Sequence, residues 1–84
     1  MKVYIVTQTR NDPFDIMEES LIGVYDSKEK ATKIVQQLFK EDKDWILEHC
    51  KVEDIEVEYI HERHSFIQGG EYWAENKIYV ETVE

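Results

Sequence analysis

A single long helical segment is the feature that most constrains the fold of this chain. The stretch "DSKEKATKIVQQLFKEDKDWILEHC" runs from Asp26 to Cys50. Asp26 and Ser27 can each cap its first turn, and Asp26 with Glu29 has the spacing of a capping box. Its apolar residues recur about every 3.6 positions, which is typical of a helix with one buried face. This stripe comprises Ala31, Ile34, Val35, Leu38, Trp45 and Ile46.

The segments on either side of the helix resemble two pairs of strands. "KVYIVTQT" (2–9) and "LIGVYD" (21–26) precede it, and "KVEDIEVEYIHERH" (51–64) and "EYWAENKIYVETV" (71–83) follow it. β-Branched and aromatic residues dominate these segments, as expected for strands. We therefore predict one α+β domain over residues 1–84. Its order is ββαββ, a four-stranded antiparallel sheet with one main helix packed on one face.

Three local features refine this prediction. Asp42 interrupts the apolar stripe, so the helix either breaks or bends near residues 40–43 or carries Asp42 at the edge of the stripe. Gly69 and Gly70 favour a tight hairpin turn, because such turns need a positive φ. The polar run from 75 to 77 predicts a kink in the last strand.

One helix covers only one face of a sheet, and this chain has more large side chains than a single small core holds. They are Tyr4, Val6, Tyr25, Tyr79 and Trp73. Some of them are expected on the second face, and an uncovered apolar face of that size predicts an interface. We expect a homodimer through this uncovered sheet face, because small cores gain stability from association. The alternative is that segment 10–20 covers it.

Charge narrows the classes of partner. The 84 residues include 19 acids and 10 Lys or Arg, for a net charge of −9 and a pI near 4.7. Phosphate backbones and anionic membranes repel such a chain, so we predict no direct nucleic-acid binding and no membrane association. A partner protein with a basic surface is the expected counterpart.

The acids of the third predicted strand suggest where that partner binds. Asp54, Glu56 and Glu58 would share one strand face, about 6.5–7 Å apart, which resembles the phosphate spacing of one nucleic-acid strand. Apolar residues would occupy the opposite face, namely Ile55, Val57 and Tyr59. The alternative is an ordinary half-buried strand with a solvated face. The predicted partner-binding residues are Glu53, Asp54, Glu56, Glu58, Tyr59, Glu62 and Trp73.

The residue patterns give little support to catalysis or metal binding. His49, Cys50, His61 and His64 are residues of the types that bind zinc. In one continuous strand, however, His61 and His64 would point to opposite faces, with His61 beside Tyr59. The glycines form no phosphate-binding motif. We therefore predict no enzyme, no cofactor, and no catalytic or metal residues.

Cysteine content and the first residues bear on location. The single cysteine excludes an internal disulfide and fits a reducing compartment. The apolar run from Val3 to Val6 is too short for the core of a signal peptide. We therefore expect a cytoplasmic protein.

Two stretches carry a family resemblance. "KVYIVTQ" and "LIGVYDSKEKATKIVQQL" resemble the start of small uncharacterised domains common in phage and Gram-positive bacterial genomes. This resemblance covers the first half of the chain and implies an accessory or mobile-element protein. The leading hypothesis is a small acidic, non-enzymatic protein-binding protein, such as an inhibitor that occupies a basic nucleic-acid-binding surface. A structural or regulatory homodimer whose acids serve only solubility is the first alternative, and a metalloprotein or enzyme is the second.

Overall fold

A computed structural model describes residues 1–12, 14–16, 19–50 and 55–84, with only the backbone described at Asp15, Ile16 and Cys50. The elements follow one another as β1 (Lys2–Asp12), β2 (Asp15–Ile16), β3 (Ser20–Tyr25), α1 (Lys28–Cys50), β4 (Val57–His61), β5 (His64–Gly69) and β6 (Tyr72–Thr82). Across these described residues the fold is α+β with one helix, as predicted.

The strands form one antiparallel sheet. β6 lies beside β1 at its centre, with Val6 opposite Ile78 and Gln8 opposite Asn76. β3 and the two-residue β2 pair with the other edge of β1, and β5 and then β4 extend the sheet beyond β6. The described sheet therefore has five main strands, and the prediction of four was wrong.

The additional strand, β5, lies between the predicted third strand (51–64) and the predicted fourth strand (71–83). β4 covers only 57–61, and Glu62 and Arg63 form a turn into β5, so that His61 pairs with His64. The physical reason is that 61–64 is a run of four polar residues, which ends the alternation of apolar and polar side chains. Lys51 to Asp54 lie outside the described residues.

The second hairpin follows the prediction more closely. β5 and β6 are joined at Gly70, whose φ of 61° is readily adopted by glycine. β6 then runs without interruption, and the predicted kink at 75–77 is absent. Pairing with both β1 and β5 holds this polar run in regular strand geometry.

The helix begins one residue later than a capping box on Asp26 requires. The Ser27 hydroxyl accepts a hydrogen bond from the backbone N–H of Lys30 at 3.2 Å, which makes Ser27 the N-cap. Asp26 instead accepts a hydrogen bond from the Lys30 side chain at 2.9 Å. From Lys28 the helix is continuous to Cys50, so the predicted break near 40–43 is absent.

Two apolar clusters lie between α1 and one face of the sheet. The first contains Val6, Ala31, Val35 and Ile78, and the second contains Ile46, Ile67 and Ala74. Each draws residues from the helix and from strands distant in sequence, so helix and sheet stabilise one another. At about 25 cal/mol per Å² of buried apolar surface, packing of this kind is the main favourable term in folding.

Asp42 lies fully buried at the helix–sheet interface. Its Oδ1 accepts hydrogen bonds from Gln8 Nε2 at 2.8 Å and from Arg10 Nε at 3.0 Å, and its Oδ2 accepts one from Asn76 Nδ2 at 2.7 Å. Burial raises the pKa of Asp42, and the donors from Asn76 and Arg10 oppose that rise. Asp42 thus interrupts the stripe in the sequence but occupies the interface itself, so its predicted place at the edge was wrong.

Candidate functional site

The sheet face opposite α1, called here the open face, carries a row of aromatic rings. The row crosses three neighbouring strands through Tyr59 in β4, Phe66 in β5 and Trp73 in β6. Tyr59 and Phe66 have centroids 5.8 Å apart and are inclined by 24°, and Phe66 and Trp73 have centroids 5.9 Å apart and are inclined by 26°. Stacked rings bury area against each other and hold one another in place. They therefore form a preorganised apolar surface.

A second apolar group occupies the opposite corner of the open face. Val24 pairs with Ile5, and Ile5 pairs with Tyr79 across the β3, β1 and β6 strands. Leu21 lies next to them in β3 and is 64% exposed, and Val24 is 55% exposed. The open face thus has two apolar corners on one diagonal, the aromatic row and this aliphatic group.

A band of polar side chains separates the two corners. The Tyr59 hydroxyl and His64 Nδ1 are 3.2 Å apart, and His64 Nε2 lies 2.6 Å from a carboxylate oxygen of Glu75. Lys77 lies 3.5 Å from the other carboxylate oxygen, and that negative charge raises the pKa of Lys77. The hydrogen bonds fix the orientation of Tyr59 at the end of the aromatic row.

Segment 10–20 reaches the open face at Asn11 and at Glu19. The Glu19 carboxylate accepts hydrogen bonds from Thr7 Oγ1 and from the Tyr79 hydroxyl, each at 3.0 Å. Phe14 is 91% exposed and adds no cover. The described part of the segment leaves out residues 13, 17 and 18 and the side chains of Asp15 and Ile16, and within it Asn11 pairs with Trp73 of the aromatic row. The expectation that this segment covers the face stays a prediction.

The predicted acids are distributed differently from the expected row. Glu58 lies on the helix side of β4, 3.4 Å from Lys43, whereas Val57 and Tyr59 lie on the open face. The acid of β4 thus lies opposite Val57 and Tyr59, as the alternation of a strand requires, and on the helix side of the sheet. The reason is that Lys43 reaches the helix side of this edge strand, where it pairs with the acid. Glu53 and Asp54 lie outside the described residues.

The two remaining acids of that set have local partners. Glu56, which precedes β4, accepts a hydrogen bond from the backbone N–H of Gly70 at 3.4 Å. Glu62 forms an ion pair with Lys28 at the start of α1, and hydrogen bonding to that ammonium group lowers the pKa of Glu62. These contacts tie the edge hairpin to the helix and to the next turn.

The Glu62 pair predicts a pH-dependent effect. Because the folded pKa of Glu62 is lowered, its contribution to stability is present above its unfolded pKa and is lost as pH falls through the folded value. Glu62→Gln should therefore lower the free energy of unfolding slightly at neutral pH and leave it unchanged in strong acid. Urea titrations at both pH values measure this, and an equal effect at both would contradict it.

The histidine geometry also differs from the expectation. His61 and His64 were predicted to face opposite ways, but the turn between them pairs them on the same open face. His64 is engaged with Tyr59 and Glu75, while His49 Nδ1 lies 2.9 Å from the backbone carbonyl oxygen of Trp45. Within the described ranges, no three His, Cys, Asp or Glu side chains form a group that could hold a metal ion.

Sequence reasoning named Tyr59 and Trp73 but missed Phe66, the ring between them. The available signal was the alternation in "SFIQG", where Ser65, Ile67 and Gly69 are buried and Phe66 takes the opposite face. That pattern places Phe66 on the open face once β5 is known to be a separate strand.

A comparison with known protein families identifies the family of this chain. Residues 1–66 match the family described as Domain of unknown function (DUF7336). The chain belongs to this DUF7336 family. The match includes β1 to β4 and the first residues of β5, so Tyr59 and Phe66 lie within the DUF7336 region and Trp73 lies beyond it. No curated protein and no solved structure matches the chain.

The helix has no membrane-spanning character. Across the residues that the structure describes, no helix is both long and apolar enough to cross a bilayer.

Proposed function

We propose that this DUF7336 protein is a non-enzymatic protein-binding domain and that the open face is its binding surface. The observation that carries the proposal is the stacked row of Tyr59, Phe66 and Trp73 on a face that no described element covers. Aromatic residues are enriched where proteins bind each other, because each ring buries a large area at a small entropic cost. The expected location is the cytoplasm.

Charge favours a protein over a nucleic acid as the ligand. Aromatic rows on sheets also bind unpaired bases by stacking, but such surfaces normally supply cations for the phosphates. Here Glu75 lies next to the row, Glu19 lies beside Tyr79, and the chain carries a net charge of −9. These anions repel phosphate and leave a protein surface as the better ligand.

The proposal is tested by capturing partners on the wild-type protein and on matched variants. A tagged chain is expressed with an untagged copy in a bacterial host, and the captured proteins, including the untagged copy, are identified by mass spectrometry. Phe66→Ala should abolish capture, because it removes the central ring of the row. Phe14→Ala removes the same group from the exposed turn between β1 and β2 and should leave capture unchanged.

The outcome that contradicts the proposal is equal capture by wild type and Phe66→Ala. Circular dichroism of the variants checks that Phe66→Ala is folded, which is expected because Phe66 lies on the face opposite the two core clusters. Wild-type capture of neither a foreign protein nor the untagged copy would also contradict it.

Charge supports a second candidate function, in which an acidic surface binds a basic protein. Apart from Glu29 in the first turn, the exposed acids of α1 lie in its second half at Glu41, Asp44 and Glu48, and Glu56 and Glu71 lie near the second hairpin. This is the inhibitor hypothesis, in which such a surface occupies a nucleic-acid-binding site. Capture of that kind should fall steeply with added salt, whereas capture through the aromatic row should persist.

A further inference from the structure

We infer that the occupant of the open face is a second copy of this chain, an inference that rests on the proposed function. The first argument is the charge of the face. Among the described strand residues that alternate onto it, Glu75, Lys77 and Glu81 are the ones with a formal charge, and the Glu19 carboxylate adds one more at Thr7 and Tyr79, whereas charged residues make up 35% of the chain. Depletion of charge marks the core of an interface.

The charge distribution also argues against a basic partner on this face. A surface built to attract a cationic protein would present its acids there. Glu75 is instead engaged with His64 and Lys77, and Glu41, Asp44 and Glu48 lie on α1, which packs on the other face of the sheet. Two copies joined through their open faces would therefore keep these helices, and their negative charge, on opposite outer surfaces.

The arrangement of the apolar corners is self-complementary. The aromatic row and the aliphatic group of Ile5, Leu21 and Val24 lie at opposite ends of one diagonal, with the polar band between them. Consider a two-fold axis that lies in the plane of the interface and is perpendicular to this diagonal. Such an axis places the aromatic row of each copy on the aliphatic group of the other. The strands then cross at near right angles, which is one of the two common sheet packings.

The area of the face is sufficient for a specific dimer. β1 and β6 have 11 residues each, and β3, β4 and β5 have 5 or 6. At about 3.3 Å per residue and about 4.8 Å between strands, the face covers on the order of 600 Å². A face about 36 Å long and about 24 Å wide overlaps only in part when crossed at right angles, so two copies would bury at most roughly 1,200 Å² in total, against the ~1,000 Å² that a specific interface requires.

Light scattering on purified protein at micromolar concentration tests the inference. Wild type should have twice the monomer mass of 10.1 kDa. Leu21→Glu should have the mass of a monomer, because it places a charge in the aliphatic group without disturbing the core. Leu47→Glu makes the same change at a residue of α1 with 40% exposure and should remain a dimer. The wild-type mass should be unchanged by added salt.

The results separate this inference from the proposed function. A wild-type mass of 10.1 kDa overturns the second copy as the occupant. A dimer that persists in Leu21→Glu overturns it as well, since the copies then meet elsewhere. In either case, capture of a foreign protein that is lost in Phe66→Ala and kept in Phe14→Ala would leave the open face as a protein-binding surface. If neither the dimer nor this pattern of capture is observed, the proposed function is overturned too.

Discussion

Replacing Asp42 with alanine is expected to lower the free energy of unfolding by about 2–4 kcal/mol. The carboxylate is fully buried and accepts hydrogen bonds from Gln8, Arg10 and Asn76. Its removal leaves the amides of Gln8 and Asn76 and the guanidinium group of Arg10 without this acceptor. Asn76 Oδ1 is already buried without a hydrogen-bond partner in the described structure, so this site has little capacity to compensate.

Asp44→Ala is the matched control for this prediction. Asp44 is on the same helix but exposed, and its replacement should change the free energy of unfolding by less than about 0.5 kcal/mol. Urea denaturation of the wild type and both variants measures the difference. Equal stabilities of the two variants would show that the buried network contributes nothing.

The buried network around Asp42 should also make the free energy of unfolding depend on pH in a definite direction. The pKa of Asp42 is raised in the folded protein above its ordinary value of 3.8, chiefly by burial. The associated stability is therefore fully present below the unfolded pKa and is lost as pH rises through the folded pKa. The difference in free energy of unfolding between the wild type and Asp42→Ala, which has no carboxyl group at this position, should accordingly be larger in acid than at neutral pH.

Replacing Ile46 with alanine is expected to cost about 2–5 kcal/mol of unfolding free energy, because it leaves a cavity in the second core cluster. Ile46 has no exposed surface and packs in the cluster with Ile67 and Ala74. This cluster holds the second half of α1 against β5 and β6. Its loss should therefore weaken the attachment of the helix to the strands that carry Phe66 and Trp73.

Ile60→Ala provides the control with the same chemical change. Ile60 lies in the edge strand β4 and is 42% exposed, so the substitution should cost less than about 1 kcal/mol. Urea denaturation measures both variants. A cost at Ile46 no greater than at Ile60 would be incompatible with the second cluster as part of the core.

Local pattern was sufficient for the helix and for part of the sheet. The 3.6-residue stripe and the polar cap located α1, and the glycine pair located the hairpin at Gly70. These features could be predicted because periodicity and turn chemistry act over a few residues. The same reasoning treated 51–64 as one strand, and it missed the turn because a strand-like composition continues on both sides of Glu62 and Arg63.

The candidate site was only partly predictable, because the turn at Glu62 and Arg63 was missed. Tyr59 and Trp73 were expected to anchor a partner, and both lie on the open face, whereas their partner binding stays a prediction. Phe66 joins them only because β5 lies between β4 and β6. The expected acidic row depended on the assumed continuous strand, and the described part of that row is divided between a bend, an edge strand and a turn.

The sequence by itself determined that the chain has one helix, antiparallel hairpins and more large side chains than one face can bury. Tertiary structure alone decided which side chains share a face and what Asp42 contacts. The donors from Gln8 and Asn76 are each 34 residues away from Asp42 in the chain. The physical reason is that periodicity sets the direction of a side chain relative to its own element, whereas its partners are set by strand order and by the packing of helix on sheet.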